Sequence, residues 1–100
     1  MRSIVPQEKK CFFCGNPNVE EHHVFFGSNR RMSDEFGCVV WLCTLHHTHP
    51  QVGVHWKDPE YHLIGEEHDH ELKVLFQHAW EDTFGTRLDF IKYFGRSWIL

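Results

Sequence analysis

The sequence lacks any long hydrophobic run: none of its stretches approaches the roughly 20 apolar residues that a membrane-spanning helix needs. The first ten residues, MRSIVPQEKK, also lack the apolar segment of a secretion signal. We therefore expect a cytoplasmic protein with no membrane partner. A basic excess is missing too, because 10 Lys and Arg face 14 Asp and Glu. The formal net charge of −4 argues mildly against a non-specific nucleic-acid binder, but it leaves a nuclease open, since bound cations bring positive charge into such a site.

The chain has only four cysteines among its 100 residues, enough for one metal site. In a reducing cytosol such cysteines bind metals more often than they form disulfides. A hydrophobic core of this size gives only marginal stability, and small proteins often add a metal. No internal repeat or linker divides the chain, so we predict a single domain over residues 1–100.

Histidine is the residue in excess, with ten copies, six of them between His22 and His55. The cysteines are interleaved with these histidines, which is the arrangement expected of a metal-binding region. In the second half of the chain the apolar residues recur at the spacing of amphipathic helices, so we expect this half to form helices that pack into the core.

Two pairs of residues predict a structural zinc site. Cys11-x-x-Cys14 and Cys43-x-x-His46 each have the two-residue spacer from which one turn can present two ligands to a tetrahedral zinc. All four positions would be filled by protein, as in structural rather than catalytic zinc sites. An all-cysteine alternative replaces His46 with Cys38, although the four-residue spacer before Cys43 is less natural for such a site.

The local patterns predict an α+β fold. Residues 19–26 and 38–42 are rich in β-branched and aromatic side chains and predict strands, whereas residues 27–37 between them predict a loop. The predicted helices are a short one from about Cys43, one starting at Asp58-Pro59, an amphipathic one from Leu72 to Phe84 ended by Gly85, and a last one opened by a Thr86–Asp89 capping box and closed by Gly95.

The order of motifs resembles the zinc-bearing form of the HNH endonuclease family. Its elements here are Cys11-x-x-Cys14, then Glu21-His22-His23, then Leu42-Cys43-Thr44-Leu45-His46-His47. The sequence as a whole is similar to those of small HNH proteins encoded by phages and prophages. This similarity would place the protein in the cytosol of a bacterial host. The resemblance implies a small ββα-metal core over residues 11–55 that a structural zinc holds together. C-terminal helices follow over residues 58–98.

The resemblance also assigns roles to four histidines. His23 takes the place of the general base, His22 and His47 take the places of ligands to a catalytic metal, and His55 is a candidate third ligand. The middle asparagine of the family falls where Cys38 stands. That asparagine normally braces the histidine loop, so the bracing has to come from another residue.

These roles predict the hydrolysis of phosphodiester bonds in nucleic acid, with double-stranded DNA as the favoured partner. A neutral imidazole, with a pKa of about 6.5, can accept a proton from water at cellular pH. Zn²⁺, Mn²⁺ and Ni²⁺ suit imidazole ligands, and Mg²⁺ is favoured by its abundance in cells. The resemblance implies products with 5′-phosphate and 3′-hydroxyl ends.

Three charged residues near the motifs are further candidates. Arg30 and Arg31 could contact backbone phosphates, since arginine binds phosphate with two hydrogen bonds, although a charged pair in a loop is often simply solvated. Glu21 could orient His23 or a metal ligand. The alternative function is a catalytically silent zinc module that binds nucleic acid or a partner protein. Such a module would keep the cysteines but has no need of the four histidines, so their joint presence favours the enzyme.

Overall fold

The computed structural model describes residues 2–99 and has a small α+β fold. Strand β1 (Glu20–His23) pairs with strand β2 (Val39–Leu42) in a two-stranded antiparallel sheet. Both strands lie inside the stretches predicted as strands, and most of the later chain is helical, so the α+β class is confirmed. Within residues 2–99 no helix has the length and apolar character that crossing a membrane requires.

The segment between the strands is helical, and the loop predicted there is wrong. A 3-10 turn (Gly27–Asn29) leads into helix α1 (Arg30–Phe36), which ends at Gly37. Gly37 has a φ of 73°, the left-handed conformation that favours glycine after a helix. The helix was missed because only Met32 and Phe36 mark its apolar face, and two residues are too few to show a helical period.

Helix α2 (Thr44–Thr48) comes one residue after β2, and α3 (Leu63–Thr83) is a single helix in place of the two predicted from Asp58-Pro59 and from Leu72 to Phe84. The Asp58 carboxylate accepts hydrogen bonds from the backbone N–H groups of Glu60 and Tyr61 at 2.8 and 2.9 Å. It therefore stabilises a turn, and the helix predicted to start at Asp58-Pro59 starts only at Leu63.

The predicted capping box at the last helix is confirmed. Helix α4 (Arg87–Phe94) opens with the Thr86 side chain accepting a hydrogen bond from the Asp89 backbone N–H, and the Asp89 carboxylate accepts one from the Thr86 backbone N–H. Gly95 ends the helix in the left-handed conformation, as predicted.

An aromatic core attaches the last two helices to the sheet. Its largest fully buried side chains include Phe25, Phe76, Trp80 and Phe90. Burying one such side chain contributes about 1.5–3 kcal/mol. Val40 and Leu42 of β2 belong to this core, whereas β1 carries only Glu and His side chains, which form part of the sites described next.

Candidate metal centres

Four predicted zinc ligands lie together and could hold a metal ion: Cys11, Cys14, Cys43 and His46. The His46 Nδ1 atom is 3.2 Å from Cys43 Sγ and 3.6 Å from Cys11 Sγ, and Cys14 Sγ is 3.6 Å from Cys43 Sγ. Bonds of about 2.3 Å to sulfur and 2.0–2.1 Å to nitrogen put the ligands of a tetrahedral metal about 3.5–3.8 Å apart. Two of the distances match this geometry and the third is slightly shorter, so the cluster fits a tetrahedral metal.

Two tight backbone turns present these four side chains. The Gly15 N–H donates to the Cys11 carbonyl at 2.9 Å, which closes the first turn, and the Phe12 N–H donates to the Trp41 carbonyl at 3.0 Å, which ties this turn to β2. Cys43 lies at the N-cap of α2, so His46 follows it by nearly one helical turn and points the same way.

The Cys11 thiol favours the form that binds metals. Burial raises its pKa, but hydrogen bonds from backbone N–H groups, first that of Cys43, outweigh burial and bring the pKa below its ordinary value. A lowered pKa favours the thiolate, which is the metal-binding species.

Cys38 does not belong to this cluster. Its side chain is fully buried in the hydrophobic core, and burial raises the pKa of its thiol to about 12. The structure therefore brings His46, and not Cys38, to the other three cysteines.

This placement predicts unequal effects of two substitutions. His46→Ala should lower the metal content and the melting temperature, because it removes one of four ligands. Cys38→Ala should leave the metal content unchanged and cost only the small cavity that it creates. Metal analysis of both purified variants, together with thermal melts, measures the difference. A metal loss in Cys38→Ala with full retention in His46→Ala would assign the site to four cysteines.

A second cluster is formed by His22, His47 and His55, whose ring nitrogens lie within 4.8 Å of one another. The centroid of the His22 ring is 5.1 Å from that of the His47 ring and 4.9 Å from that of the His55 ring. The centroids of the His47 and His55 rings are 4.9 Å apart. The three rings therefore converge as a nearly equilateral triangle.

His22 fits the role of a metal ligand. It is 2% exposed, and its Nε2 atom has no hydrogen-bond partner among residues 2–99. A buried polar atom left without a partner costs about 1–3 kcal/mol, a cost that a bound cation would remove. Burial, with smaller effects of His55 and His47, lowers the pKa of His22 to about 2. The ring is thus neutral at cellular pH and offers a lone pair to a metal.

A tight turn after α2 returns His55 to the cluster. The His55 backbone N–H donates to the His47 carbonyl at 3.0 Å. Gly53 makes the turn possible, because a Cβ atom there would lie 2.6 Å from the His49 backbone nitrogen. Burial, aided by His47, also lowers the pKa of His55, which favours its neutral form.

Glu20 orients His47, a role that the sequence analysis missed. The Glu20 Oε1 atom lies 2.6 Å from His47 Nδ1. Because a carboxylate accepts hydrogen bonds and does not donate them, Nδ1 carries the proton of a neutral His47 ring, and Nε2 then keeps its lone pair for a metal. Strand alternation was the available signal, since Glu20 and His22 lie two residues apart and share one face of β1.

His23 lies beside the three histidines although its neighbour His22 points inward. Strand β1 ends at His23, and both residues line one cavity of about 280 Å³ together with Arg30, His47 and His55. The His23 Nε2 atom is 3.2 Å from Asp34 Oδ1 and 3.7 Å from Glu21 Oε1. The second distance is too long for a hydrogen bond, so Glu21 is the more distant of two carboxylates near this ring.

The loop after His23 is braced without an asparagine. The Ser33 hydroxyl accepts a hydrogen bond from the Phe25 N–H at 2.9 Å and donates one to the Phe25 carbonyl at 2.7 Å. The Val24 N–H donates to the Cys38 carbonyl at 2.9 Å. The brace thus comes from the Ser33 side chain and from the backbone of Cys38, whose thiol is buried elsewhere in the core.

Both predicted arginines lie next to the cavity. A second groove of about 620 Å³ continues from it and is lined by Arg30 and Arg31 together with His23 and Asp34. Arg30 lines both spaces, whereas Arg31 also forms an ion pair with Glu35 at 3.0 Å. The groove also contains the carboxylates of Glu21 and Asp34, so its two arginines face two acidic residues, and it leads to His23.

Comparisons with family models, with curated proteins and with solved structures give no match for this chain.

Proposed function

We propose that the protein is a metal-dependent endonuclease that hydrolyses phosphodiester bonds in DNA. The observation that carries the proposal is the convergence of His22, His47 and His55 beside His23 in one cavity. Three converging imidazoles suit a divalent metal, and a fourth imidazole next to them suits a general base. The HNH-like motif order supports the same assignment.

His22, His47 and His55 would hold the catalytic metal. The unpartnered His22 Nε2 atom and the Glu20–His47 contact both favour metal binding. When bound there, a divalent cation (Zn²⁺, Mn²⁺, Ni²⁺ or Mg²⁺) would stabilise the charge that develops on the phosphate and on the leaving 3′ oxygen. The three-histidine set leaves coordination positions open for substrate oxygens, as catalytic sites require.

His23 is the proposed general base. It lines the cavity from the end of β1, so a water between its ring and a phosphate group would lie within reach of a ring nitrogen. By taking a proton from that water, His23 would make it a nucleophile for attack on phosphorus. The leaving group would be the 3′ oxygen, which gives 5′-phosphate and 3′-hydroxyl ends.

The arginine-lined groove is the proposed path of the nucleic-acid backbone. Arg30 lies between the cavity and the groove, where its guanidinium could contact the phosphate next to the cleaved one. The net charge of −4 means that such local positive charge, together with the metal, has to provide the attraction.

Zinc is the proposed ion of the Cys11, Cys14, Cys43 and His46 cluster, in a structural role. Three sulfur atoms and one imidazole nitrogen suit zinc, and four protein ligands leave no position for water or substrate. The site would join the first turn to α2, the helix that also carries His47. Zinc binding would therefore hold part of the catalytic cluster in place.

The proposal is tested by incubating supercoiled plasmid with zinc-loaded protein and one added metal at a time. Nicked or linear DNA with 5′-phosphate and 3′-hydroxyl ends, which a ligase can rejoin directly, is the expected product. Cleavage that leaves 3′-phosphate ends would contradict the proposed direction of bond breaking. DNA binding without cleavage in any metal would favour the silent zinc module.

His22→Ala should weaken the binding of the second metal and leave the structural zinc in place. The reason is that His22 belongs to the three-histidine cluster only. Loss of such a ligand should be partly overcome by excess Mn²⁺ or Ni²⁺. Calorimetric titration of the zinc-loaded variant measures the affinity, and metal analysis checks the zinc. An unchanged affinity for the second metal would remove His22 from the site.

A further inference from the structure

The His23 ring has a close carboxylate on one side. Its Nε2 atom lies 3.2 Å from Asp34 Oδ1, and Glu21 Oε1 is farther away at 3.7 Å. An ionised carboxylate can only accept a hydrogen bond, so the neutral ring carries its proton on Nε2 and has its lone pair on Nδ1. A base has to present a lone pair to water, and this contact decides which nitrogen does so.

We propose that Asp34 is the positioning residue of His23: it fixes the tautomer in which Nδ1 accepts the proton of the attacking water. The inference rests on the proposed nuclease function, because the choice of nitrogen matters only if His23 acts as a base. A base oriented by a third group is the general design of sites that activate a nucleophile.

The backbone that carries Asp34 is held firmly opposite His23. The preceding residue, Ser33, is fully buried and makes two hydrogen bonds to Phe25, at 2.7 and 2.9 Å. The Cys38 N–H donates to the Ser33 carbonyl at 2.7 Å, which ties the end of α1 to the start of β2. The same brace that replaces the missing asparagine therefore also places the Asp34 carboxylate.

The Asp34 contact contributes little to the stability of the fold. Its side chain is 72% exposed, and exposed ion pairs are weak and screened by salt. Removing the carboxylate should therefore change the state of the His23 ring without unfolding the protein. This separation makes the role testable.

The same three side chains, Glu21, His23 and Asp34, lie within 4.8 Å of one another and could instead bind a cation. A cation there would occupy His23 and inhibit cleavage at high metal concentration. The exposed position of both carboxylates favours the orienting role, and the two roles predict opposite effects of Asp34→Asn in excess metal.

The kinetic test compares Asp34→Asn and Asp34→Glu with Asp82→Asn. Asp82 is the matched control, since it is an exposed aspartate of α3 that lines neither the cavity nor the groove. Asp34→Asn should lower kcat by about 10–100-fold, with KM and the affinity for the second metal unchanged. Asp34→Glu should recover part of the rate, and Asp82→Asn should keep the kcat of the unmodified protein. An equal loss in Asp82→Asn, or a faster Asp34→Asn in excess metal, would overturn the proposal.

A second measurement does not depend on cleavage. Nitrogen NMR of the histidine rings, with the His23 signals identified by their loss in His23→Gln, reports which ring nitrogen carries the proton. The expected result is a protonated Nε2 and an unprotonated Nδ1, changing to a mixture of tautomers in Asp34→Asn, because an amide can also donate. An unchanged tautomer in Asp34→Asn rejects the role of Asp34. A protein with this tautomer change but no nuclease activity would reject the proposed function alone.

Discussion

His23→Ala is expected to reduce DNA cleavage by about 10²–10⁴-fold, the usual cost of losing general-base catalysis. The second metal should still bind with nearly its original affinity, because the three-histidine cluster does not include His23. The fold should also persist, since His23 lies at the end of a strand and outside the hydrophobic core. Cleavage rates and calorimetric metal titrations on the same preparation measure the two effects.

The control for this variant is His78→Ala, which removes an exposed histidine of α3. Its cleavage rate should equal that of the unmodified protein. A His23→Ala variant that loses metal affinity, beside a His22→Ala variant that keeps it, would exchange the roles of the two residues. A His23→Ala variant with full activity would exclude His23 as the base.

Replacing Cys11 or Cys14 with serine should abolish zinc binding and the cooperative thermal melt. Structural zinc contributes about 10–16 kcal/mol in small zinc-binding peptides, whereas small proteins are stable by only about 5–15 kcal/mol in total. The aromatic core of the helices is not expected to compensate for the lost zinc, because the core does not replace the link that the zinc ligands make between the Cys11–Gly15 turn and α2.

Metal analysis and a circular-dichroism melt are sufficient for this test. The expected result is about one zinc per chain in the unmodified protein and none in either variant, with a broad, non-cooperative melt. A metal-free preparation that keeps a cooperative melt at the original temperature would show that the cluster does not hold the fold together.

Local spacing was enough to predict the ligand cluster but not all of the fold. The two-residue spacers of Cys11-x-x-Cys14 and Cys43-x-x-His46 act within single turns, and the structure brings these four residues together. The Thr86–Asp89 capping box is similarly local and was predicted correctly. Helix α1 could not be predicted, because Met32 and Phe36 are too few to show a helical period and the Ser33 hydrogen bonds to Phe25 are tertiary contacts.

The carboxylates that orient the histidines could not be predicted from spacing. Glu20 contacts His47 across 27 residues of sequence, and Asp34 contacts His23 across 11. Both contacts depend on how α1 and α2 lie against β1, which is a tertiary property. Glu21 was the residue considered for such a role, but its carboxylate is 3.7 Å from His23 and the closer one belongs to Asp34.

If the proposed function is correct, DNA cleavage depends on a metal bound by the three histidines. Zinc-loaded protein is titrated with Mn²⁺, Ni²⁺, Mg²⁺ or additional Zn²⁺, and metal binding by calorimetry and plasmid cleavage are followed on the same sample. We expect one further metal per chain, with cleavage rising over the same concentration range for at least one of these metals. A fully occupied second site without cleavage in any of them would show that the three histidines do not hold a catalytic metal.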